Sequence, residues 1–221
     1  MRKEDYFTEL NKESKIAEWK EILSRYYSKK RNFKFDIINS ALLIIDMQEY
    51  FLNPKSHAFL PAARTIIEPI KKIQDFFKKN NRPNFFIQYG LDPELDKNNI
   101  MNKWWNDSLS IIDPLYKISP EFEVDKENII VKNTYDAFSG TNLANILAKS
   151  GSTSIMITGV ATHLCCETTA RNAFNLNFEV FLPIDCIATY TEELHLNSLK
   201  AASHGFGIPI TSNEILGGKN K

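Results

Sequence analysis

The sequence has little of what several large classes of protein require. Only 3 of its 221 residues are cysteine, an odd number too small for a disulfide framework, so we expect free thiols. The 27 basic and 27 acidic side chains cancel, which leaves neither a basic field for nucleic acid nor an acidic tail. The longest apolar runs, such as ALLII and FLPI, are far too short to span a bilayer. We therefore expect no nucleic-acid partner and no membrane association.

The remaining composition is that of an ordinary globular protein. Hydrophobic residues make up 43% of the chain and charged residues 24%, and the length allows one substantial core. The first ten residues, MRKEDYFTEL, carry charges where a signal peptide would need an apolar stretch. A cytoplasmic location is therefore expected.

Two parts of the chain differ in how their apolar residues are spaced. Residues 1–37 are rich in Lys, Glu, Tyr and Trp and predict an amphipathic helical extension laid on the rest of the protein. The apolar residues at helical spacing in this part are Ile16, Trp19, Ile22 and Leu23. Residues 38–221 are predicted to form one domain, because short apolar runs alternate there with longer helical patterns.

The alternation in the second part predicts the fold class. The predicted strands cover residues 41–46, 82–90, 128–133, 152–160, 178–185 and 207–210. The predicted helices between them cover residues 65–80, 140–151, 162–177 and 191–205. Alternating buried strands and helices imply a three-layer α/β/α fold with a six-stranded, mostly parallel, Rossmann-like sheet. Ligands of such sheets bind beyond the carboxyl ends of the strands.

Two charged residues fall at that edge of the predicted sheet. Asp46 ends a run of five apolar residues, where partial burial would raise its pKa and suit it to accept a proton. A role as a helix cap or turn residue is the alternative for Asp46. Lys132 follows a predicted buried strand and needs either solvent or an anionic partner. The expected strand order makes that partner Asp46 or a thiolate.

Two adjacent cysteines follow another predicted strand. Neighbouring cysteines form a disulfide only with severe backbone strain. Cys166 shares the spacing of an apolar stripe with Ala170, Ala173 and Phe174, so we predict that it packs in the core. Cys165 falls in the first turn of the predicted helix, where the helix dipole would lower the pKa of its thiol. We predict that Cys165 reacts; a buried inert thiol is the competing interpretation.

Three blocks of sequence, in this order, resemble the isochorismatase-like cysteine hydrolases, which include isochorismatases, nicotinamidases and N-carbamoylsarcosine amidohydrolases. The blocks are ALLIIDMQEYF (41–51), IIVKNTYDAFSGTNL (129–143) and ITGVATHLCCETTARNAF (157–174). The resemblance extends to residues 185–206 and covers nearly everything from residue 38 onward. It implies the isochorismatase-like hydrolase fold and, because dimers and tetramers are usual in the family, a homodimer or homotetramer.

The resemblance also implies the residues of an active site. Asp46, Lys132 and Cys165 match the catalytic triad of the family. A cis peptide bond is implied between Val160 and Ala161, and the backbone N–H groups of Ala161 and Cys165 are implied to form the oxyanion hole. The implied activity is hydrolysis of a small amide or ureido substrate through a thioester on Cys165. Isochorismatase-type cleavage of a vinyl ether is the alternative, and a non-catalytic binding or scaffold role is the second.

The resemblance is incomplete at the metal site of the nicotinamidases. Those enzymes carry an Asp and His cluster after the second strand, where this sequence reads IQYGLDPELDK without a histidine. The four histidines are scattered and do not have a ligand spacing. We therefore expect no catalytic metal and no cofactor.

Aromatic residues near the same edge are predicted to line an apolar pocket for a small-molecule substrate. They are Phe51, Tyr89, Trp104, Trp105 and Tyr135. Packing in the core or at a subunit interface is the alternative for each of them. His163, two residues before Cys165, is predicted to touch the substrate, and an exposed loop position is its alternative.

Overall fold

The computed structural model describes residues 2–27 and 33–217. Its strands are β1 (Ser40–Ile45), β2 (Asn84–Tyr89), β3 (Ile129–Lys132), β4 (Ser154–Val160), β5 (Glu179–Pro183), β6 (Ile187–Ala188) and β7 (Ile208–Ile210). Its α-helices are α1 (Lys12–Ser24), α2 (Glu49–Leu52), α3 (Ile67–Lys79), α4 (Ile100–Trp105), α5 (Leu143–Lys149), α6 (Glu167–Asn175), α7 (Glu192–Gly205) and α8 (Ser212–Ile215). None of the helices in the described ranges has the length and apolar content to cross a membrane.

The strands form one parallel sheet with the order β3-β2-β1-β4-β5-β7. This arrangement confirms the predicted α/β fold. The sheet has seven strands rather than the predicted six, because β6 pairs with the end of β4 beyond β5. The chain turns after β5 through a hydrogen bond from Cys186 N–H to the Pro183 carbonyl, 2.9 Å long. A strand of two residues has too short an apolar pattern to be read from sequence.

The central strand β1 lies in the middle of the core. All six of its side chains are buried, as are the seven of its neighbour β4. Strands covered on both faces read as continuous apolar runs, which is the pattern of ALLII. One of the covering helices is α3, whose residues Ile67, Ile70, Ile73 and Phe77 are buried at helical spacing.

A glycine brings the end of β4 against the end of β1. Gly159 has a φ of +105°, and a β-carbon on it would lie 2.0 Å from the carbonyl oxygen of Ile45. A side chain at this position would therefore collide with the backbone of β1. The close approach places the residues that follow β4 beside Asp46, which follows β1.

The segment after β4 does not begin as a regular α-helix. Residues Thr162–Cys166 form a π-helical turn, and α6 starts only at Glu167. In this turn the N–H of Cys166 donates to the carbonyl of Ala161 over 3.2 Å, five residues back along the chain. The predicted single helix over 162–177 is therefore wrong in its first turn, and this wider turn carries Cys165.

The N-terminal extension packs against the same core as the sheet. Trp19 of α1 is fully buried, and its indole Nε1 donates to Glu192 over 2.8 Å. Its ring lies 4.6 Å from that of His195, centroid to centroid. Lys15 forms an ion pair with Glu192 at 2.8 Å. The extension is thus held against α7 by apolar and polar contacts together.

Candidate active site

Asp46 lies immediately after β1, in a left-handed backbone conformation with φ +52°. Its N–H donates to the Ile87 carbonyl over 2.8 Å, and its own carbonyl accepts from Gln48 N–H over 2.7 Å. This conformation is disfavoured by about 1–2 kcal/mol for most residues, less for Asp, and such residues cluster at functional sites. The chain turns here, and the carboxylate is fully buried.

Lys132 is the last residue of β3 and lies in register with Tyr89 of β2. Its Nζ is 2.9 Å from Asp46 Oδ2, 3.0 Å from the Thr134 carbonyl and 3.2 Å from Cys165 Sγ. The side chains of Lys132 and Asp46 are both fully shielded from solvent. A buried ammonium is tolerated only with such partners. The structure therefore brings together the two strand-end charges and the thiol.

Burial dominates the electrostatics of the three groups. It raises the pKa of the Asp46 carboxyl, although the adjacent Lys132 ammonium opposes the shift. Burial lowers the pKa of Lys132, but the charge of Asp46 and the hydrogen bonds to Asp46 and Cys165 outweigh burial, so the pKa of Lys132 lies above the usual value. Lys132 is therefore a permanent cation in this site.

The pKa of Cys165 is the reverse of the expectation from the helix dipole. Burial and the negative charge of Asp46 raise the pKa of the thiol, and Lys132 offsets only part of that rise. The expectation of a lowered pKa was wrong because it weighed the dipole of a helix start and neither the burial nor the carboxylate. Cys165 therefore rests as a neutral thiol.

One oxygen of Asp46 is left over. Oδ2 accepts from Lys132, whereas Oδ1 is buried and has no hydrogen-bond partner among the described residues. A buried acceptor without a donor is unfavourable by about 1–3 kcal/mol, so its presence needs an explanation. Oδ1 is the atom of this site that is free to take up a proton.

The two adjacent cysteines have different surroundings. Cys165 lines a cavity, whereas Cys166 is 1% exposed and belongs to the core, as predicted. Ala170 and Ala173 of the predicted apolar stripe are buried too, but Phe174 is 48% exposed and does not belong to it. Cys165, Cys166 and Cys186 are all free thiols. The peptide bond between Val160 and Ala161 is cis, and Ala161 lines the cavity next to Cys165.

The cavity above Cys165 has a volume of about 240 Å³ and a mostly aromatic wall. Its lining residues are Lys3, Tyr50, Phe51, His57, Ala58, Tyr89, Met101, Trp105, Asp107, Ser108, Tyr135, Ala161, Leu164, Cys165 and Tyr190. Trp105 Nε1 donates to the Tyr135 hydroxyl over 2.7 Å and so joins α4 to the loop after β3. The buried hydroxyl of Tyr89 has no hydrogen-bond partner among the described residues. The structure thus places Phe51, Tyr89, Trp105 and Tyr135 in the wall.

Trp104 and His163 lie outside the wall, contrary to expectation. Successive residues of an α-helix point about 100° apart, so α4 turns Trp105 towards the cavity and leaves Trp104 72% exposed. His163 is half-buried, and its Nδ1 lies 2.7 Å from the Thr189 hydroxyl. The π-helical turn directs His163 away from the cavity, so it is neither a lining residue nor an exposed loop residue.

Gln48 holds together the backbone around the site. This residue was not identified from the sequence. Its side chain is fully buried; Nε2 donates to the carbonyls of Tyr89 (2.9 Å) and Tyr116 (2.7 Å), while Oε1 accepts from Tyr89 N–H (2.9 Å). The amide therefore fastens the loop after β1 to the end of β2. The available signal was an uncharged polar residue two positions after Asp46, within the block ALLIIDMQEYF (41–51). Lys3, Tyr50 and Tyr190 gave no comparable signal.

The residues after β2 do not form the metal site of the nicotinamidases. Asp92 Oδ1 accepts from the N–H groups of Glu94 and Leu95, which is the geometry of a turn. Within residues 2–27 and 33–217 no three His, Cys, Asp or Glu side chains converge on one point as metal ligands. The donor set therefore does not fit the metal that the family resemblance would allow, and no step of the chemistry is assigned to one.

Two known proteins are similar in sequence to most of this chain. Nicotinamidase 3 of Arabidopsis thaliana is 31% identical over 196 residues, which make up 86% of this chain and 93% of that protein. Enterobactin synthase component B of Escherichia coli (strain K12) is 29% identical over 188 residues, 85% of this chain and 66% of that protein.

The fold and the family follow from two further comparisons. A solved cysteine hydrolase from Pseudomonas syringae pv. phaseolicola has the same fold, with a TM-score of 0.79 at 20% identity over 84% of this chain and 94% of its own. The family model described as the isochorismatase domain matches residues 40–214, far more than half of the sequence. On that match the chain belongs to the isochorismatase family of hydrolases.

Proposed function

We propose that this hydrolase cleaves a small amide or ureido substrate through Cys165, Asp46 and Lys132, with a thioester intermediate. One observation carries the proposal: the Lys132 ammonium lies 2.9 Å from the Asp46 carboxylate and 3.2 Å from the sulfur of Cys165, which lines the cavity. A nucleophile, a base and a fixed positive charge in contact are the parts that covalent catalysis at a carbonyl needs.

The raised pKa of Cys165 defines the first step. Because the thiol is neutral at rest, its proton must leave as the sulfur attacks the carbonyl carbon. The unpartnered Oδ1 of Asp46 accepts that proton. Lys132 keeps its charge throughout and stabilises the sulfur as negative charge develops on it.

The remaining steps balance in protons and bonds. As the S–C bond forms, the backbone N–H groups of Ala161 and Cys165 stabilise the oxyanion. The protonated Asp46 then gives its proton to the nitrogen, the C–N bond breaks, and ammonia or an amine leaves. Water attacks the thioester while Asp46 accepts a proton from it, and that proton returns to the sulfur as the C–S bond breaks. The net reaction is amide plus water to acid plus amine.

The cavity supports a small, flat, apolar substrate. Its volume of about 240 Å³ is below the 300–1,000 Å³ usual for drug-sized ligands. The rings of Phe51, Tyr89, Trp105 and Tyr135 offer faces for stacking. The similarity to a protein named nicotinamidase supports amide rather than ether cleavage.

Vinyl ether cleavage is the second candidate, and the direction of the Asp46 pKa supports it. Burial raises the pKa of Asp46, and a raised pKa favours the protonated carboxyl that would protonate a vinyl ether. The matching family model is also named for the isochorismatase domain. A non-catalytic scaffold is the third candidate, which would have no need of a shielded Lys132–Asp46 pair.

Paired cysteine variants test the reaction. Wild-type protein, Cys165→Ala and Cys166→Ala are assayed for ammonia release from a panel of small carboxamides and ureido acids, with isochorismate hydrolysis alongside. We expect ammonia from at least one amide, loss of more than about 10³-fold in Cys165→Ala, and activity within a few-fold in Cys166→Ala. Cys166→Ala is the matched control because its sulfur packs in the core next door.

Two results would contradict the proposal. If Cys165→Ala still releases ammonia, the reaction does not pass through a thioester on Cys165. Turnover of isochorismate alone, insensitive to Cys165→Ala, replaces amide hydrolysis by the ether reaction.

A further inference from the structure

A lysine of the N-terminal extension lies at the mouth of the cavity. Lys3 lines the same space as Cys165, and its Nζ donates a hydrogen bond to the carbonyl oxygen of His57. Within the described ranges its ammonium forms no ion pair with a carboxylate, whereas Arg2 beside it pairs with Glu4 at 2.8 Å. Lys3 is therefore a cation whose charge is not neutralised by the protein around it.

The position of Lys3 is fixed by the backbone that follows it. Glu4 N–H donates to the Tyr190 carbonyl over 2.9 Å, and the Glu4 carboxylate accepts from Glu192 N–H over 3.0 Å. The Tyr6 hydroxyl accepts from Thr189 N–H over 3.1 Å. Tyr190 itself lines the cavity, so the extension is attached to the wall that it completes.

The other ionisable groups at the mouth contact one another. His57 Nε2 lies 3.2 Å from the Asp107 carboxylate and 3.0 Å from the Tyr50 hydroxyl. Within the described ranges the Asp107 carboxylate, although it lines the same cavity, forms no ion pair with Lys3. The mouth thus offers the Lys3 ammonium beside a largely apolar space.

We propose that Lys3 binds a carboxylate of the substrate, so that the substrate is a small, flat amide carrying an anionic group at the end away from the scissile carbonyl. This inference rests on the proposed function and adds the substrate class to it. The small volume of the cavity means that one molecule in contact with Cys165 also reaches the mouth. Lys3 determines specificity, and the chemistry stays with the three groups at the floor.

Binding of two matched probes tests this site without any turnover. Benzoate is a flat anion, and benzyl alcohol is a neutral molecule of the same size; neither has an amide. Binding is followed by tryptophan fluorescence, since Trp105 lines the cavity, using the full chain with any tag at the C-terminus. The variants are Lys3→Met, Lys3→Arg and, as control, Lys12→Met, whose ammonium pairs with Glu9 elsewhere on the extension.

The expected result is a change in anion binding alone. Wild-type protein binds benzoate more tightly than benzyl alcohol. Lys3→Met lowers the affinity for benzoate about fivefold and changes the affinity for benzyl alcohol by less than about twofold. Lys3→Arg keeps benzoate binding within about threefold because the charge is retained. Lys12→Met changes neither probe. The preference for benzoate falls as salt is added.

Three results would overturn the inference. In the first, wild-type protein binds benzoate no more tightly than benzyl alcohol. In the second, Lys3→Met leaves the affinity for benzoate unchanged. In the third, Lys3→Met lowers the affinity for both probes equally, which would mean that Lys3 only holds the loop of His57 in place. Because binding is measured directly, Lys3-dependent binding of benzoate in a protein that hydrolyses no amide would retain the anion site and reject only the proposed reaction.

Discussion

The floor of the cavity and its cover are built in different ways. The floor consists of Asp46, Lys132 and Cys165, which follow or end three parallel strands and are at most 6% exposed; Cys165 is the one of the three that lines the cavity. The cover consists of α4, a helix of six residues, and of the first residues of the extension. Strand register fixes the floor, whereas side-chain hydrogen bonds between loops hold the cover. The difference fits the proposed division, in which the sheet carries the chemistry and the loops select the substrate.

The cover is tied to the sheet by a few amides. Asn99 Nδ2 donates to the Asn133 carbonyl over 3.1 Å, and Asn133 Nδ2 donates to the Asp96 carboxylate over 2.7 Å. Asn133 directly follows Lys132, the last residue of β3. The cover is thus attached next to Lys132, so a change in one region can be compared with a matched change in the other.

The largest contrast is expected from removing a lysine in each region. Lys132→Met leaves Asp46 charged and buried without a partner, so we expect loss of activity and destabilisation by about 3–5 kcal/mol. Lys103→Met on exposed α4 should change the free energy of unfolding by less than about 0.5 kcal/mol. Urea unfolding of both variants measures the difference.

A double variant separates charge from packing. Combining Lys132→Met with Asp46→Asn removes both charges, so it should recover part of the lost stability while remaining inactive. A double variant as unstable as Lys132→Met alone would mean that packing rather than charge holds the floor.

A smaller effect is expected from the dependence of stability on pH, and it arises at His195, which lies between the extension and the floor. His195 lies against Trp19 of α1, and its Nδ1 is 3.0 Å from the hydroxyl of Thr162, three residues before Cys165. Burial lowers the pKa of His195 to about 3. The unfolded chain therefore binds this proton below its ordinary pKa of about 6.5 and the folded chain does not, so stability falls as pH drops from 6.5 towards 3.

Substitution of this histidine should flatten the acid side of the stability curve. Between pH 6.5 and 5 the wild-type protein should lose about 2 kcal/mol that His195→Gln does not lose. Calorimetric unfolding across this range, with both proteins in the same buffers, gives the difference. Parallel curves for the two proteins would show that His195 is protonated without unfolding.

The smallest contrast is expected within the cover itself. Trp105→Ala removes a wall of the cavity and the hydrogen bond to Tyr135, whereas Trp104→Ala removes a side chain in solvent. We expect KM for the best amide of the panel to rise about fivefold to tenfold in Trp105→Ala and to stay within about twofold in Trp104→Ala. Equal effects would place Trp104 at a surface that the substrate uses.

The sequence predicted the floor better than the cover, for a physical reason. Parallel strands all end at one edge, so the expected strand order offered Asp46 or a thiolate, beside solvent, as the partner of Lys132. The family resemblance then implied the set of Asp46, Lys132 and Cys165. Nothing comparable indicates which face of α4, in the irregular stretch between β2 and β3, points to the cavity. Of the two adjacent tryptophans, the prediction was therefore right for Trp105 and wrong for Trp104. The pKa of Cys165 was wrong in sign because burial and the charge of Asp46 depend on three-dimensional packing. The position of Lys3 depends on contacts with residues almost two hundred positions away.

The raised pKa of the Cys165 thiol has a consequence for its reaction with oxidants. Peroxides and disulfide reagents attack thiolates far faster than thiols. Burial adds to this effect, because Cys165, Cys166 and Cys186 are all at most 6% exposed. We therefore expect all three thiols to react slowly with such reagents while the protein is folded.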